Sequence, residues 1–100
     1  MLVHNVFFWL KKELSAEERE AFYQGLGTLS EIEYVRSFAA GVPAATDRPV
    51  VDNSYDYAIM ALLDDMQAHD DYQVAPIHKN FLNNFSTYWE KVLVYDFETG

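Results

Sequence analysis

The chain has 100 residues, 50% apolar and 16% aromatic, with no cysteine and a formal charge of −9. This describes one domain with a modest core, too aromatic for intrinsic disorder and without disulfide, thiol or thiolate-metal chemistry. The charge divides unevenly, five Lys/Arg against seven Asp/Glu in residues 1–50 and two against nine in residues 51–100, so no basic surface is available to neutralise phosphates.

Leu2 to Leu10 is apolar except for His4 and Asn5 and rich in β-branched and aromatic residues, which predicts a strand. Ser15-Ala16-Glu17-Glu18 is a capping box that opens a helix, with Phe22, Leu26 and Leu29 following at helical spacing. Tyr34 to Val42 reads as a weaker strand, ended by Gly41 and Pro43, and Pro43 to Asn53 as a loop. Tyr55 to Leu63 predicts a third strand. Asp64 caps a short helix through about Gln73, and Pro76 starts a second helical piece to about Thr87 with Ile77, Phe81 and Phe85 at four-residue intervals. Lys91 to Phe97 is the last strand. The order is the split βαβ pattern: an α+β, ferredoxin-like βαββαβ protomer with a four-stranded antiparallel sheet, one domain over residues 1–100.

Alternate strand residues point to opposite faces. His4, Val6, Phe8 and Leu10 oppose Val3, Asn5, Phe7 and Trp9; Tyr57, Ile59, Ala61 and Leu63 oppose Ala58, Met60 and Leu62; Val92 and Val94 oppose Leu93, Tyr95 and Phe97. Neither face is polar throughout, and helices can cover one face alone. At about 25 cal/mol per Å², leaving Phe7, Trp9, Leu93 and Phe97 in water forfeits several kcal/mol, so the expected solution is a homodimer packed sheet on sheet. No apolar run approaches the roughly 18 residues of a membrane span, and Met1 to Leu10 lack the basic start and cleavage site of a signal peptide. The expected setting is cytoplasmic, with neither a membrane nor nucleic acid as partner.

Three histidines carry the candidate chemistry. His69 sits among Gln67, Ala68, Asp70 and Asp71 and reads as a solvated surface residue. His4 shares a strand face with apolar residues and is either a satisfied core histidine or a cavity residue. His78 falls in the first turn of the helix begun by Pro76, where the positive end of the helix dipole disfavours imidazolium and leaves a base. Tyr72, across the Pro76 break, is placed to donate a hydrogen bond to a carbonyl oxygen that becomes negative. Asp64-Asp65 and Asp70-Asp71 read as helix-start charge and solvated surface, and no His-Glu-x-x-His or EF-hand spacing occurs, so no metal site is expected. Without Gly-x-Gly-x-x-Gly or a P-loop, no nucleotide cofactor is expected either.

In order along the chain, His4 and its apolar run, Phe22, Leu29, Gly41, Tyr55, Tyr72-x-x-x-Pro76-x-His78 with Phe81, and Trp89 to Asp96 resemble the Dabb family, the stress-responsive dimeric α/β-barrel domain. The resemblance implies ferredoxin-like protomers whose sheets pair into a barrel. Tyr72, His78 and His4 are similar to the site residues of its plant branch of polyketide cyclases (the olivetolic acid cyclase type), which close a linear poly-β-ketone by aldol condensation without a cofactor. Tyr57 departs from that branch, which has histidine there. The expected site is a pocket for a small carbonyl or aromatic compound lined by Leu10, Phe22, Leu26, Tyr57, Ile59 and Phe81, with catalytic His78, Tyr72 and His4. The alternative is a non-catalytic stress-response or ligand-binding domain.

Overall fold

Strand β1, Leu2–Leu10, sets the layout, because its alternate residues Leu2, His4, Val6, Phe8 and Leu10 are buried. In a computed structural model describing residues 1–100, helix α1 follows at Ala16–Thr28. The Glu18 N–H donates to Ser15 Oγ at 3.1 Å and the Ser15 N–H donates to Glu18 Oε1 at 2.9 Å, closing the expected capping box. A single 3-10 turn, Leu29–Glu31, ends the helix.

Strand β2 is Ser37–Gly41, shorter than the expected Tyr34 to Val42. Ile32 is drawn into the core and the Val35 N–H bonds back to the Ile32 carbonyl at 3.0 Å, so Tyr34 and Val35 close a turn instead of a ladder. Strand β3, Tyr57–Leu63, starts two residues later than expected. Tyr55 turns away against the rings of Phe7 and Trp9, and the Asp56 carboxylate accepts from the Leu10 N–H at 2.7 Å.

Helix α2 is Met66–Val74, and its cap is Asp65 rather than the expected Asp64; the Asp65 carboxylate accepts from the Ala68 N–H at 2.9 Å. Asp64 is held by the Arg36 guanidinium at 2.9 and 2.6 Å, which takes it out of capping range. Ala75 is extended, as a residue before proline must be, and Pro76 begins helix α3, Pro76–Phe85. Strand β4 is Trp89–Glu98; it starts earlier than Lys91 because a register shift at Trp9/Leu10 lets Leu10 pair with Trp89.

The sheet order is β2-β3-β1-β4, with every neighbouring pair antiparallel. This is the expected βαββαβ topology: each βαβ crossover skips one strand, so β1 lies in the middle. The helices cover one face, closing a core of Leu2, Val6, Phe8, Leu10, Phe22, Leu26, Leu29, Ile32, Ile59, Leu63, Tyr72 and Phe81. No helix is long and apolar enough to cross a membrane. The other face is as apolar as its sequence, and the segment between β2 and β3 covers one end of it. There Tyr55 packs on Phe7, and the Trp9 Nε1–H donates to Ser54 Oγ at 3.1 Å. At the β4 end, Tyr95 and Phe97 remain 60% and 55% exposed.

Two glycines of α1 separate packing from propensity. A Cβ on Gly25 would lie 2.4 Å from the Phe85 ring, whereas one on Gly27 meets nothing within 4 Å. Gly25→Ala should therefore destabilise by about 1–3 kcal/mol through overpacking. Gly27→Ala should stabilise by about 0.5–1 kcal/mol through helix propensity. Urea unfolding of the two variants checks the contrast.

Candidate functional site

Between the helices and the β1–β4 half of the sheet lies a cavity of about 200 Å³. Its walls are His4, Val6 and Phe8 from β1, Ile59 from β3, Leu29, Tyr72, Gln73, His78, Phe81 and Leu82 from the helical side, and Trp89, Val92 and Val94 from β4. Val92 and Val94 belong to the helix face, yet the helices stop short of them and leave them 41% and 46% exposed. That edge is the mouth.

All three predicted catalytic residues reach this cavity. His4 is buried, and its Nδ1–H donates to Asp96 Oδ1 at 2.6 Å. Asp96 sits opposite His4 in the β1–β4 register. Burial lowers the pKa of His4 and outweighs the opposing pull of the Asp96 hydrogen bond and charge. The ring is therefore neutral near pH 7, with its lone pair on Nε2. Tyr72 is fully buried at the end of α2, its ring edge-on to both His4 and His78 at centroid distances of 5.6 and 5.1 Å. Burial raises the phenol pKa, so the group stays a donor. Burial, with smaller contributions from His4 and His69, lowers the pKa of His78. Tyr72 Oη and His78 Nδ1 are both buried without a protein hydrogen-bond partner. Such atoms ordinarily find partners, and each one left without costs about 1–3 kcal/mol.

Of the predicted pocket residues, Ile59 and Phe81 line the cavity, whereas Leu10, Phe22, Leu26 and Tyr57 do not. Phe22 and Leu26 have no exposed surface: they fill the core beneath the cavity, where Phe22 packs on Phe8 and Phe81. Leu10 is buried at the far end of β1, and Tyr57 stacks on Tyr23. His69 corrects the expectation of a solvated residue. Its side chain is 17% exposed, its ring centroid lies 5.3 Å from that of His4, and its Nε2 is 3.8 Å from Asp96 Oδ2. Sequence reasoning reads His69 as solvated and gives Asp96 no site role, yet ring nitrogens of His4 and His69 and an Asp96 oxygen all lie within 4.8 Å of one another.

The sequence model described as the Stress responsive A/B Barrel Domain, Dabb, matches residues 2–99. The chain belongs to the Dabb family. No curated protein matches it. The chain is similar in fold to the Arabidopsis thaliana protein At3g17210, at 23% identity over 100% of this chain and 96% of that one, with a TM-score of 0.83. It is similar to a dimeric ferredoxin-like protein of unknown function from Thermobifida fusca, at 21% identity, 98% and 90% coverage and a TM-score of 0.79. A third likeness is to the hydroxynitrile lyase of Passiflora edulis, at 21% identity, 96% and 90% coverage and a TM-score of 0.78. The Dabb fold is thus common to proteins with and without a described activity.

The unpartnered phenol gives a direct test of the site's geometry. Tyr72→Phe should leave the unfolding midpoint unchanged or raise it, because the variant deletes a buried hydroxyl that bonds to no protein group. A loss of about 1 kcal/mol or more in denaturant unfolding would mean that the hydroxyl is bonded within the fold.

Proposed function

We propose that this Dabb protein is a homodimer whose cavity binds a short carbonyl or aromatic compound and acts on it by cofactor-free acid–base chemistry. The observation that carries the reading is the pair of buried, unpartnered polar atoms, Tyr72 Oη and His78 Nδ1, in one largely apolar cavity. A ligand carbonyl that accepts from Tyr72 and presents an acidic C–H or O–H to His78 supplies both missing partners. His78 takes the proton, the Tyr72 hydroxyl donates to the enolate or alkoxide oxygen as it becomes negative, and His4 orients the ligand, its own ring fixed by Asp96. A general base of this kind contributes about 10² to 10⁴-fold in rate.

The cavity, about 200 Å³ and open along Val92 and Val94, has room for a short carbonyl compound. The reaction class that suits a base and a phenol donor at such a carbonyl is aldol-type or cyanohydrin cleavage and formation, and the lyase activity named for the Passiflora edulis neighbour supports it. The test is turnover against short β-ketones and cyanohydrins, with chemical-shift perturbation to locate binding. His78→Ala should lose about 10²-fold or more while still binding ligand. Binding of these compounds without turnover by the native protein would instead favour the ligand-binding alternative.

The pH dependence has a definite sign. Burial holds the folded-state pKa of His78 below the ordinary histidine value of 6.5, so the base form survives into mild acid. Turnover should stay level around neutrality and fall only below pH 6.5, through the lowered pKa. Fold stability should fall in the same direction, because the unfolded chain binds more protons than the fold once pH drops below the unfolded value. A pH–rate profile read beside pH-dependent unfolding checks both limbs.

The homodimer rests on the apolar open face, and the dimeric state described for the Thermobifida fusca neighbour supports it. Sedimentation should show a mass of two chains. Phe97→Asp, which alters a ring already half exposed in the protomer, should shift it to one. A single-chain mass at all concentrations would remove the dimer from the reading.

A further inference from the structure

Beside the cavity, three chain segments bring metal-ligating groups to one point: His4 from β1, His69 from α2 and Asp96 from β4. The proposed acid–base chemistry uses His4 and Asp96 but leaves His69 without a role. We propose that His4, His69 and Asp96 form a binding site for a divalent transition ion of the zinc type. The set of two imidazoles and one carboxylate is a common donor set for Zn²⁺.

Four features of the geometry support this. First, the donor spacing fits. Tetrahedral zinc with bonds of about 2.0 Å separates its ligand atoms by about 3.3 Å. Asp96 Oδ2 lies 3.8 Å from His69 Nε2, and Asp96 Oδ1 lies 2.6 Å from His4 Nδ1. The shorter gap is the His4–Asp96 hydrogen bond, so an ion enters by taking the place of the Nδ1 proton, which moves to Nε2, while the Asp96 carboxylate, one-third exposed, turns to admit it.

Second, the orientation of His69 suits a ligand. Its Nδ1 lies 3.2 Å from Asp70 Oδ1, so the Nδ1–H donates to that carboxylate and the lone pair is on Nε2, the nitrogen that faces Asp96. A carboxylate behind the ligating ring is the usual support of a metal-bound histidine. Third, the side-chain amide of Gln73 ends 3.3 Å from His69 Nε2. With the lone pair on Nε2, the Gln73 N–H donates to it, which marks this nitrogen as an acceptor that an ion can take over. Fourth, the 3.8 Å between His69 Nε2 and Asp96 is too long for a hydrogen bond, so the imidazole approaches the carboxylate without bonding to it. The formal charge of −9 raises the local concentration of any cation.

The test is calorimetric titration of untagged protein, stripped with chelator and exchanged into chelator-free buffer, with Zn²⁺ near neutral pH. One ion should bind per chain. His69→Ala and Asp96→Asn should each weaken binding by at least about tenfold. Co²⁺ should give the visible d–d bands of a low-coordinate site in the native protein and lose them in His69→Ala. His69 is outside the hydrophobic core, so that variant keeps the fold, and its unfolding midpoint in chelator verifies this. Absence of saturable binding, or equal affinity in all three proteins, would overturn the proposal. Binding is read without turnover, so this result stands or falls separately from the proposed acid–base activity.

Discussion

A neutral imidazole on the buried face of the central strand has to be paired, and most of the site depends on how this fold pairs it. His4 lies between two antiparallel neighbours, opposite Ala61 on β3 and Asp96 on β4. Ala61 has no side-chain group that could accept the imidazole N–H, so the hydrogen bond goes to Asp96, and that bond fixes the tautomer. Asp96 is one-third exposed, so its carboxylate reaches solvent while its partner is buried. One cross-strand register therefore delivers an oriented, neutral histidine to the cavity wall and a solvated carboxylate to its rim.

The second constraint is the helix break at Pro76. Ala75 is extended, with its N–H bonded to the Tyr72 carbonyl at 3.2 Å, so α2 ends and α3 starts in a new direction within two residues. The turn places Tyr72 at the end of one helix and His78 in the first turn of the next, with ring centroids 5.1 Å apart. Beneath them Phe8, Phe22, Phe81 and Trp89 pack ring on ring. A rigid aromatic floor of this kind holds polar atoms in place whether or not they have partners, which is what preorganisation of a site requires.

The topology is legible in the sequence because its signals are local: a capping box, a proline at a helix start, alternation along strands. The strand ends are less so, since tertiary contacts decide them; Ile32 pulls the start of β2 into a turn, and Arg36 claims Asp64 and leaves Asp65 to cap α2. His4 stands out because it interrupts an apolar strand face, and Tyr72 and His78 because they flank the helix break at Pro76. His69 reads as solvated because its chain neighbours are polar, although the residues that share its helix face, Tyr72 and Gln73 at three and four positions on, face the cavity. Phe22 and Leu26 resemble pocket wall because periodicity identifies the inward face but not how deep a side chain lies below a cavity. That depth depends on how three helices meet, and no short-range spacing encodes it.

The cavity and the open sheet face are two sides of the same strands, which couples the proposed assembly to the proposed chemistry. Along β1 the residues His4, Val6 and Phe8 face the cavity, and the alternating Asn5, Phe7 and Trp9 face the other way. On β4 the flanking residues Tyr95 and Phe97 are exposed on the open face, and Asp96 between them holds His4. The segment between β2 and β3 covers the Phe7–Trp9 end, so the uncovered apolar surface lies directly behind Asp96. In the proposed dimer a second sheet seated on Tyr95 and Phe97 presses on the stretch of β4 that presents the carboxylate. An edge strand otherwise held along one side only would then be fixed from behind as well. In that dimer, pairing of the sheets would do more than hide apolar surface: it would brace the strand on which the orientation of His4 depends.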